Sequence, residues 1–315
     1  MPELWITLGV VAFIVIAILI TAYVCFYITF YVSPKNRTSP ADFSSLGKEF
    51  EPYLDQMRTW INEVSTFPYV SYNIKSFDGL DLHAKYYECK KGAPIEIMFH
   101  GYRGNAERDL CGGVQRCFSL ERNVLLIDQR TAGKSDGKVI TFGVNEMRDC
   151  LAWVDFAEKT FGSEVKLILT GISMGASTVL MASSHEFPPN VVGVIADCGF
   201  TSAKDIIKKC IKEMKLPVWL VYPFIKLGAR IYGGFKLEEF SALEAMKTCT
   251  LPVIFFHGED DSFVPCDMSR QNFSECVAPK KLVTMKGAGH GMCFLAKPEE
   301  YLEHLREFKK EMNIK

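Results

Sequence analysis

The sequence predicts a doubly wound α/β domain carried on an N-terminal membrane helix. Three observations point there. From Val70 onward, short apolar runs alternate with helix-like patterns, the order expected of strands and crossover helices. Most of these runs are continuously apolar rather than alternating, as parallel strands covered on both faces are. Leu4 to Val32 contains no charged residue, and about 20 apolar residues suffice to cross a bilayer.

Taken in order, the apolar N-terminal run reads as a retained anchor that spans with tilt. A cleaved signal peptide would have a basic start, a shorter apolar core and a small-x-small cleavage site. Here the start is Met1-Pro2-Glu3. Trp5 at one end and Tyr23, Tyr27 and Tyr31 at the other stand where interfacial aromatics stand. Lys35 and Arg37 follow the run and no basic residue precedes it, so the rest of the chain is expected in the cytoplasm. Ser33 to Asp42 reads as a short linker. Leu46, Phe50, Leu54, Met57 and Ile61 then recur at spacings of three and four, which predicts an amphipathic helix over Phe43 to Val64, packed on the domain. The expected segments are an anchor at 1–32, a linker and helix at 33–69, and a catalytic domain at 70–315.

Within that domain Val70–Ser76 and Leu82–Tyr87 flank Phe77-Asp78-Gly79-Leu80, a hairpin signal. Further strands are expected at Pro94–Phe99, Asn123–Ile127, Val165–Thr170, Val191–Ala196, Pro252–Phe256 and Lys281–Met285, making eight in a mostly parallel sheet. Helices are expected at Ala106–Leu120, Glu146–Phe161 and Ala176–His185, with an amphipathic helix at the C-terminus. Residues 200–250 are too long for one connection. Lys204–Met214, Pro217–Tyr232 and Ser241–Met246 read there as a helical cap insertion beside the site, an ordinary crossover with a decorated loop being the alternative.

Composition narrows the function. A net charge of −1 gives no basic face for nucleic acid. The 11 cysteines are odd in number and lack any C-x-x-C spacing, so neither a zinc site nor a disulfide framework is expected. Cys89, Cys111, Cys117, Cys150, Cys198, Cys210 and Cys249 read as small buried apolar groups in a reducing compartment.

The chemistry centres on Gly171-Ile172-Ser173-Met174-Gly175, a G-x-S-x-G between a strand and a helix. That context makes a nucleophile elbow, a turn sharp enough to thrust the serine above the sheet. A serine hydroxyl needs an imidazole to take its proton and a carboxylate to hold the imidazole. His290, in Gly287-Ala288-Gly289-His290-Gly291 after the last strand, is the expected base. His83, His185, His257 and His304 lie on strands or helices away from such a loop. The acid belongs between serine and histidine in chain order. Glu259, Asp260 and Asp261 are adjacent, and His-Gly-x-x-Asp-x-x-Val-Pro selects Asp261. Asp197, after the preceding strand, is its rival. The oxyanion hole takes backbone N–H groups. Met174 and Tyr102, the latter in His100-Gly101-Tyr102-Arg103-Gly104-Asn105, are the expected donors.

These residues together resemble the α/β-hydrolase superfamily from about Val70 onward. His100 to Gly104, the Gly171–Gly175 elbow, His257-Gly258 with Asp261, Val264 and Pro265, and Gly289-His290 carry the resemblance. Within it the chain is most similar to single-span bacterial hydrolases of the YqkD type, whose Asp-Cys-Gly-x-Thr-Ser is matched by Asp197 to Ser202. One departure is Asp128-Gln129-Arg130-Thr131-Ala132-Gly133-Lys134-Ser135, where such relatives carry a histidine at the place of Ala132. Asp128 and Arg130 are expected to pair in that loop. The resemblance implies a serine hydrolase of a carboxylic ester or thioester, with no cofactor or metal. A small-molecule or lipid-derived ester is the expected substrate. A peptidase of the same fold, or a non-catalytic membrane-associated binding protein, are the alternatives.

Overall fold

The computed structural model describes residues 2–44 and 46–312. Met1 and residues 313–315, at the two ends of the expected segments, lie outside the described residues, as does Ser45 in the expected amphipathic helix.

Helix α1 (Pro2–Thr29) opens the chain. At 1.5 Å per residue it is about 42 Å long. Its first part is exposed, whereas Ala22, Phe26 and Phe30 are buried. Their spacing of four puts them on one stripe, so the end of α1 is part of the domain core. The linker follows, with 3₁₀ turns at Pro34–Asn36 and Lys48–Tyr53, and then α2 (Leu54–Ser65). The expected helix from Phe43 is therefore shortened. Pro52 lies inside the window, and a proline there removes an N–H and crowds the carbonyl one turn back.

Strands β1 (Val70–Lys75) and β2 (Asp81–Tyr87) form the hairpin. After β3 (Ile95–Phe99) come α3 (Ala106–Asp109) and α4 (Gly113–Ser119), where one helix was expected. The break is at Gly112, with φ +76°, where a Cβ would lie 2.6 Å from the Trp60 ring. The chain continues through β4 (Asn123–Asp128), α5 (Val144–Phe161), β5 (Leu167–Ile172), α6 (Met174–Ala182) and β6 (Val191–Asp197). The insertion holds α7 (Ala203–Glu213), α8 (Val218–Ile231) and α9 (Ala242–Met246). Then come β7 (Val253–Gly258), α10 (Cys266–Glu275), β8 (Lys280–Met285), α11 (Cys293–Ala296) and α12 (Pro298–Glu311).

All eight strands join one sheet in the order β1-β2-β4-β3-β5-β6-β7-β8, antiparallel at β1-β2 and β2-β4 and parallel from β4 to β8. Successive side chains face opposite sides. Ile97, Leu125, Leu169, Val194 and Phe255 share one core with α5, α6 and α9. Ile168, Ile195, Ile254 and Phe256 pack with α12, and Met98, Val124 and Leu126 with α4. Glu96 interrupts the apolar run of β3 and is fully buried. Arg116, Arg122 (2.9 Å) and Thr170 (2.8 Å) bond it. Burial would raise its pKa, but the two guanidinium groups and Thr170 outweigh that and hold it low.

Helix α8 packs antiparallel on the end of α1. A Cβ at Gly228 would stand 2.4 Å from the carbonyl oxygen of Ala22, so the two backbones meet where glycine alone fits. Tyr232 donates to the Leu19 carbonyl (3.0 Å), and the rings of Tyr23 and Tyr232 meet edge-on at 5.2 Å. Two smaller expectations are corrected. Cys89 is exposed and Cys111 and Cys210 are half-buried, though Cys117, Cys150, Cys198 and Cys249 are buried. Asp128 and Arg130 do not pair. The loop turns sharply at Thr131 (φ +74°) and Gly133 (φ +49°). That turn brings the Lys134 N–H back to Asp128 (3.0 Å), which also bonds His83 Nδ1 (2.9 Å). Arg130 is left to fork onto Asp149 of α5 (2.7 Å to each oxygen) and reach Asp78 (3.0 Å).

Candidate active site

Ser173 occupies the single-residue turn between β5 and α6 at φ +55°, ψ −118°. A non-glycine residue reaches positive φ only when its surroundings enforce it. Two glycines supply the enforcement. A Cβ at Gly171 would lie 2.2 Å from the Gly175 carbonyl carbon, and one at Gly175 would lie 2.1 Å from the Phe99 carbonyl oxygen. Strand, helix and the end of β3 are thus in backbone contact, and the Ser173 N–H is fixed by the Asp197 carbonyl at 2.8 Å.

The loop after β8 brings His290 to the serine, Nε2 standing 2.9 Å from Ser173 Oγ. Its Nδ1 is 2.7 Å from Asp261 Oδ2. A carboxylate there accepts a hydrogen bond from Nδ1–H, which keeps the proton on Nδ1 and leaves the Nε2 lone pair toward the hydroxyl. Gly258 makes the approach possible, since a Cβ on it would stand 2.2 Å from the Ala288 carbonyl oxygen. Asp261 is buried, and its Oδ1 accepts the N–H groups of Phe263 (2.9 Å) and Val264 (2.7 Å). Burial alone would raise its pKa. The bonds from His257 and His290, the charge of His290 and the Val264 N–H reverse this and bring it down to about 2.

Asp197 is also buried at this sheet edge, but among the described bonds none joins it to His290. Burial pushes its carboxyl up to about 6 against the pull of His257, the Cys293 thiol and His290. Glu259 and Asp260 are exposed. Met174 begins α6, so its N–H points from a helix N-terminus, where negative charge is favoured. The Gly101–Tyr102 turn lies against the serine, since a Cβ on Gly101 would be 3.6 Å from Ser173 Cβ. His100 braces that turn, its Nδ1 donating to the Gly101 carbonyl (2.9 Å) while Nε2 accepts the Gln129 N–H (3.2 Å).

A cavity of about 820 Å³ opens from Ser173. One wall is the segment after α1, with Leu46 and Phe50 of the linker and Met57 of α2, and Met98, Leu110 and Phe294 also line the space. Arg116 and Asp197 add polar groups, and Lys209 and Glu213 bring α7 to the same space.

Sequence reasoning passed over three participants. His257 is a second partner of Asp261 (3.2 Å) and is itself held by Ser269 of α10 (2.7 Å). Cys293 faces Asp197. The linker forms a cavity wall. The His-Gly dipeptide ending β7 was the available signal for His257; the other two depend on contacts between segments distant in sequence. Cys198, Asp261 and His290 have ligand atoms within 4.8 Å of one another, a grouping that metals use. Burial and the nearby carboxylates keep the Cys198 thiol protonated, well above its ordinary pKa, which disfavours it as a ligand.

Comparison with known proteins gives the chain's relatives. The chain is similar to the Bacillus subtilis protein YqkD, 27% identical over 69% of this chain and 71% of that one. It is 29% identical to Schizosaccharomyces pombe protein bem46, over 62% of this chain and 60% of the other. Among solved structures the Pyrococcus furiosus esterase Pf2001 shares the fold, with a TM-score of 0.64 at 24% identity over 80% of this chain and 94% of that one. The family model for the prolyl oligopeptidases matches residues 140–313, which hold the elbow, the insertion, Asp261 and His290. The chain thus belongs to the prolyl oligopeptidase family of α/β-hydrolases.

Proposed function

We propose that this hydrolase is a serine esterase or thioesterase working through Ser173, His290 and Asp261. The observation that carries the reading is the unbroken chain of hydrogen bonds from Ser173 Oγ to His290 Nε2 (2.9 Å) and from His290 Nδ1 to Asp261 (2.7 Å). Ser173 Oγ attacks the carbonyl carbon as His290 takes its proton. The N–H groups of Tyr102 and Met174 hold the oxyanion, each such donor contributing about 3 kcal/mol in comparable enzymes. The carbon–oxygen or carbon–sulfur bond then breaks, and the leaving group receives the proton from His290. Water, deprotonated by the same imidazole, attacks the acyl-serine and restores the hydroxyl. Asp261 keeps the imidazole oriented and stabilises its cationic form.

The mostly apolar cavity beside Ser173 favours an acyl group in that space, and α1 favours a lipid-derived one. Burial of Ala22, Phe26 and Phe30 favours α1 as a retained single-pass anchor over a removed signal sequence. Lys35 and Arg37 favour a cytoplasmic catalytic domain. A peptidase is the second reading, and the prolyl oligopeptidase match is the observation that favours it.

A fluorophosphonate probe tests the mechanism. The wild type is expected to label, and Ser173→Ala to remain unlabelled; equal labelling of the two would remove Ser173 from its role. A panel of esters and thioesters of increasing acyl length, with peptide amides alongside, separates the two readings. Preferred turnover of the amides would replace the esterase reading.

A further inference from the structure

We infer that the last turn of α1 is a positioning element of the oxyanion hole, gripping the Tyr102–Arg103 turn from a segment that precedes the first strand of the sheet. The catalytic consequence rests on the reading of Tyr102 as an oxyanion donor; the grip itself rests on geometry alone.

Three hydrogen bonds make the grip. The Tyr102 hydroxyl donates to the Thr29 carbonyl (2.7 Å). Arg103 Nη2 donates to the carbonyls of Ile28 (2.8 Å) and Tyr31 (3.0 Å). A helix leaves its last carbonyls without partners within the helix, and a cation at that end also meets the negative pole of its dipole. The oxyanion turn therefore supplies the C-terminal cap of α1.

The turn is held from both sides. Residues 101–104 are closed by a 3.2 Å bond from the Gly104 N–H to the Gly101 carbonyl, and on the inner side His100 Nδ1 (2.9 Å) and Asp109 Oδ2 (3.1 Å) hold Gly101. Arg103 sits at φ +50°, a conformation that a non-glycine residue keeps only under restraint. The linker adds one more restraint, with Thr38 Oγ1 donating to the Arg103 carbonyl at 2.8 Å.

The holding element is fixed as well. The Ile140 N–H bonds the Phe30 carbonyl (2.9 Å) and the Val32 N–H bonds the Lys138 carbonyl (2.8 Å). The Phe30 ring meets Phe142 and Phe235 edge-on at 5.8 and 5.3 Å, and Phe142 lies 4.8 Å from the Tyr102 ring. Tyr102 is thus held between the helix end and a packed aromatic group, and its N–H inherits that placement. An oxyanion donor acts mainly on the transition state, so loosening it lowers kcat more than it raises KM.

The test uses the full-length protein in lipid nanodiscs. Tyr102→Phe keeps the ring and the backbone N–H and removes only the hydroxyl. Arg103→Asn removes the guanidinium while retaining a residue type that tolerates left-handed backbone. In the double variant, amide hydrogen exchange across residues 101–105 should rise, with β5 unchanged. The kcat on a short ester should fall about tenfold or more, with KM within about twofold. Affinity for a boronic acid that mimics the tetrahedral intermediate should fall in step with kcat, and Arg103→Lys with Tyr102 intact should recover most of it. Unchanged exchange overturns the grip, and this arm is decided whether or not esters are the substrate. Raised exchange with unchanged kcat overturns the positioning role.

Discussion

Asp261 and Asp197 are two buried carboxylates at neighbouring strand ends, held at pKa values of about 2 and about 6. The first is depressed in the folded state, so its contribution to stability is present above about pH 4 and is lost as pH falls toward 2. The second is raised, so the folded state binds the extra proton. Its penalty is absent below about pH 4, grows to pH 6 and is complete above, at about 2–3 kcal/mol for two pK units. Asp197→Asn should therefore raise Tm at pH 7.5, with the gain vanishing at pH 4, and should leave turnover within a few-fold. Thermal melts at the two pH values check this; equal gains at both would remove the linkage. Asp261→Asn should lower kcat by about 10⁴, as the wrong imidazole tautomer does in serine proteases. Loss of turnover with Asp197→Asn alone would reverse the assignment. At this scale the sequence is informative where chemistry is written as spacing. Ser173 is marked by its glycines, and His290 and Asp261 by chain order. His257 is not so marked, because its part is a hydrogen bond to Asp261, formed only when β7 and the following loop fold together.

Among the elements, α10 went unpredicted for a physical reason. Its buried side is Met268, Ser269, which bonds His257, and Asn272, so two of its three buried positions are polar. A helix that supports a polar site carries polar residues inward and loses its hydrophobic period. The α3–α4 break shows the converse, since the helical pattern ran on through Gly112, which the packing of Trp60 requires. The α1–α8 contact gives a prediction whose sign is opposed to propensity. In an exposed helix, Gly→Ala raises stability by up to about 1 kcal/mol. Gly228→Ala places a methyl 2.4 Å from a backbone oxygen of α1 and should lower stability by about 1–3 kcal/mol. Melting in one detergent compares the two proteins; a stabilised variant would mean that the helices do not meet as described.

For the whole molecule, eight strands and their order of appearance were legible, because each buried strand is a short apolar run between turn signals. The joining of α1 to the core was not. The bond from Tyr232 to Leu19 links residues 213 positions apart, and no local pattern records such a contact. The molecular prediction is that α1 stays on the mature protein. Intact mass should include the N-terminal residues, the chain should resist alkaline carbonate extraction, and a C-terminal reporter should respond from the cytoplasm. A mass beginning after residue 20 would return α1 to the role of a signal sequence, and an external reporter would reverse the orientation.

Phe30 fills the space between Phe142 and Phe235. Trimming the chain at the linker to obtain a soluble enzyme would therefore pull a plug as well as cut a tether. The vacated groove along α8 would be apolar and sticky, and the carbonyls that receive Tyr102 and Arg103 would be gone. A fragment beginning near Leu19 keeps that seal while discarding most of the exposed apolar length of α1. Poor activity in a shorter fragment would then report a missing piece of the enzyme rather than a missing membrane.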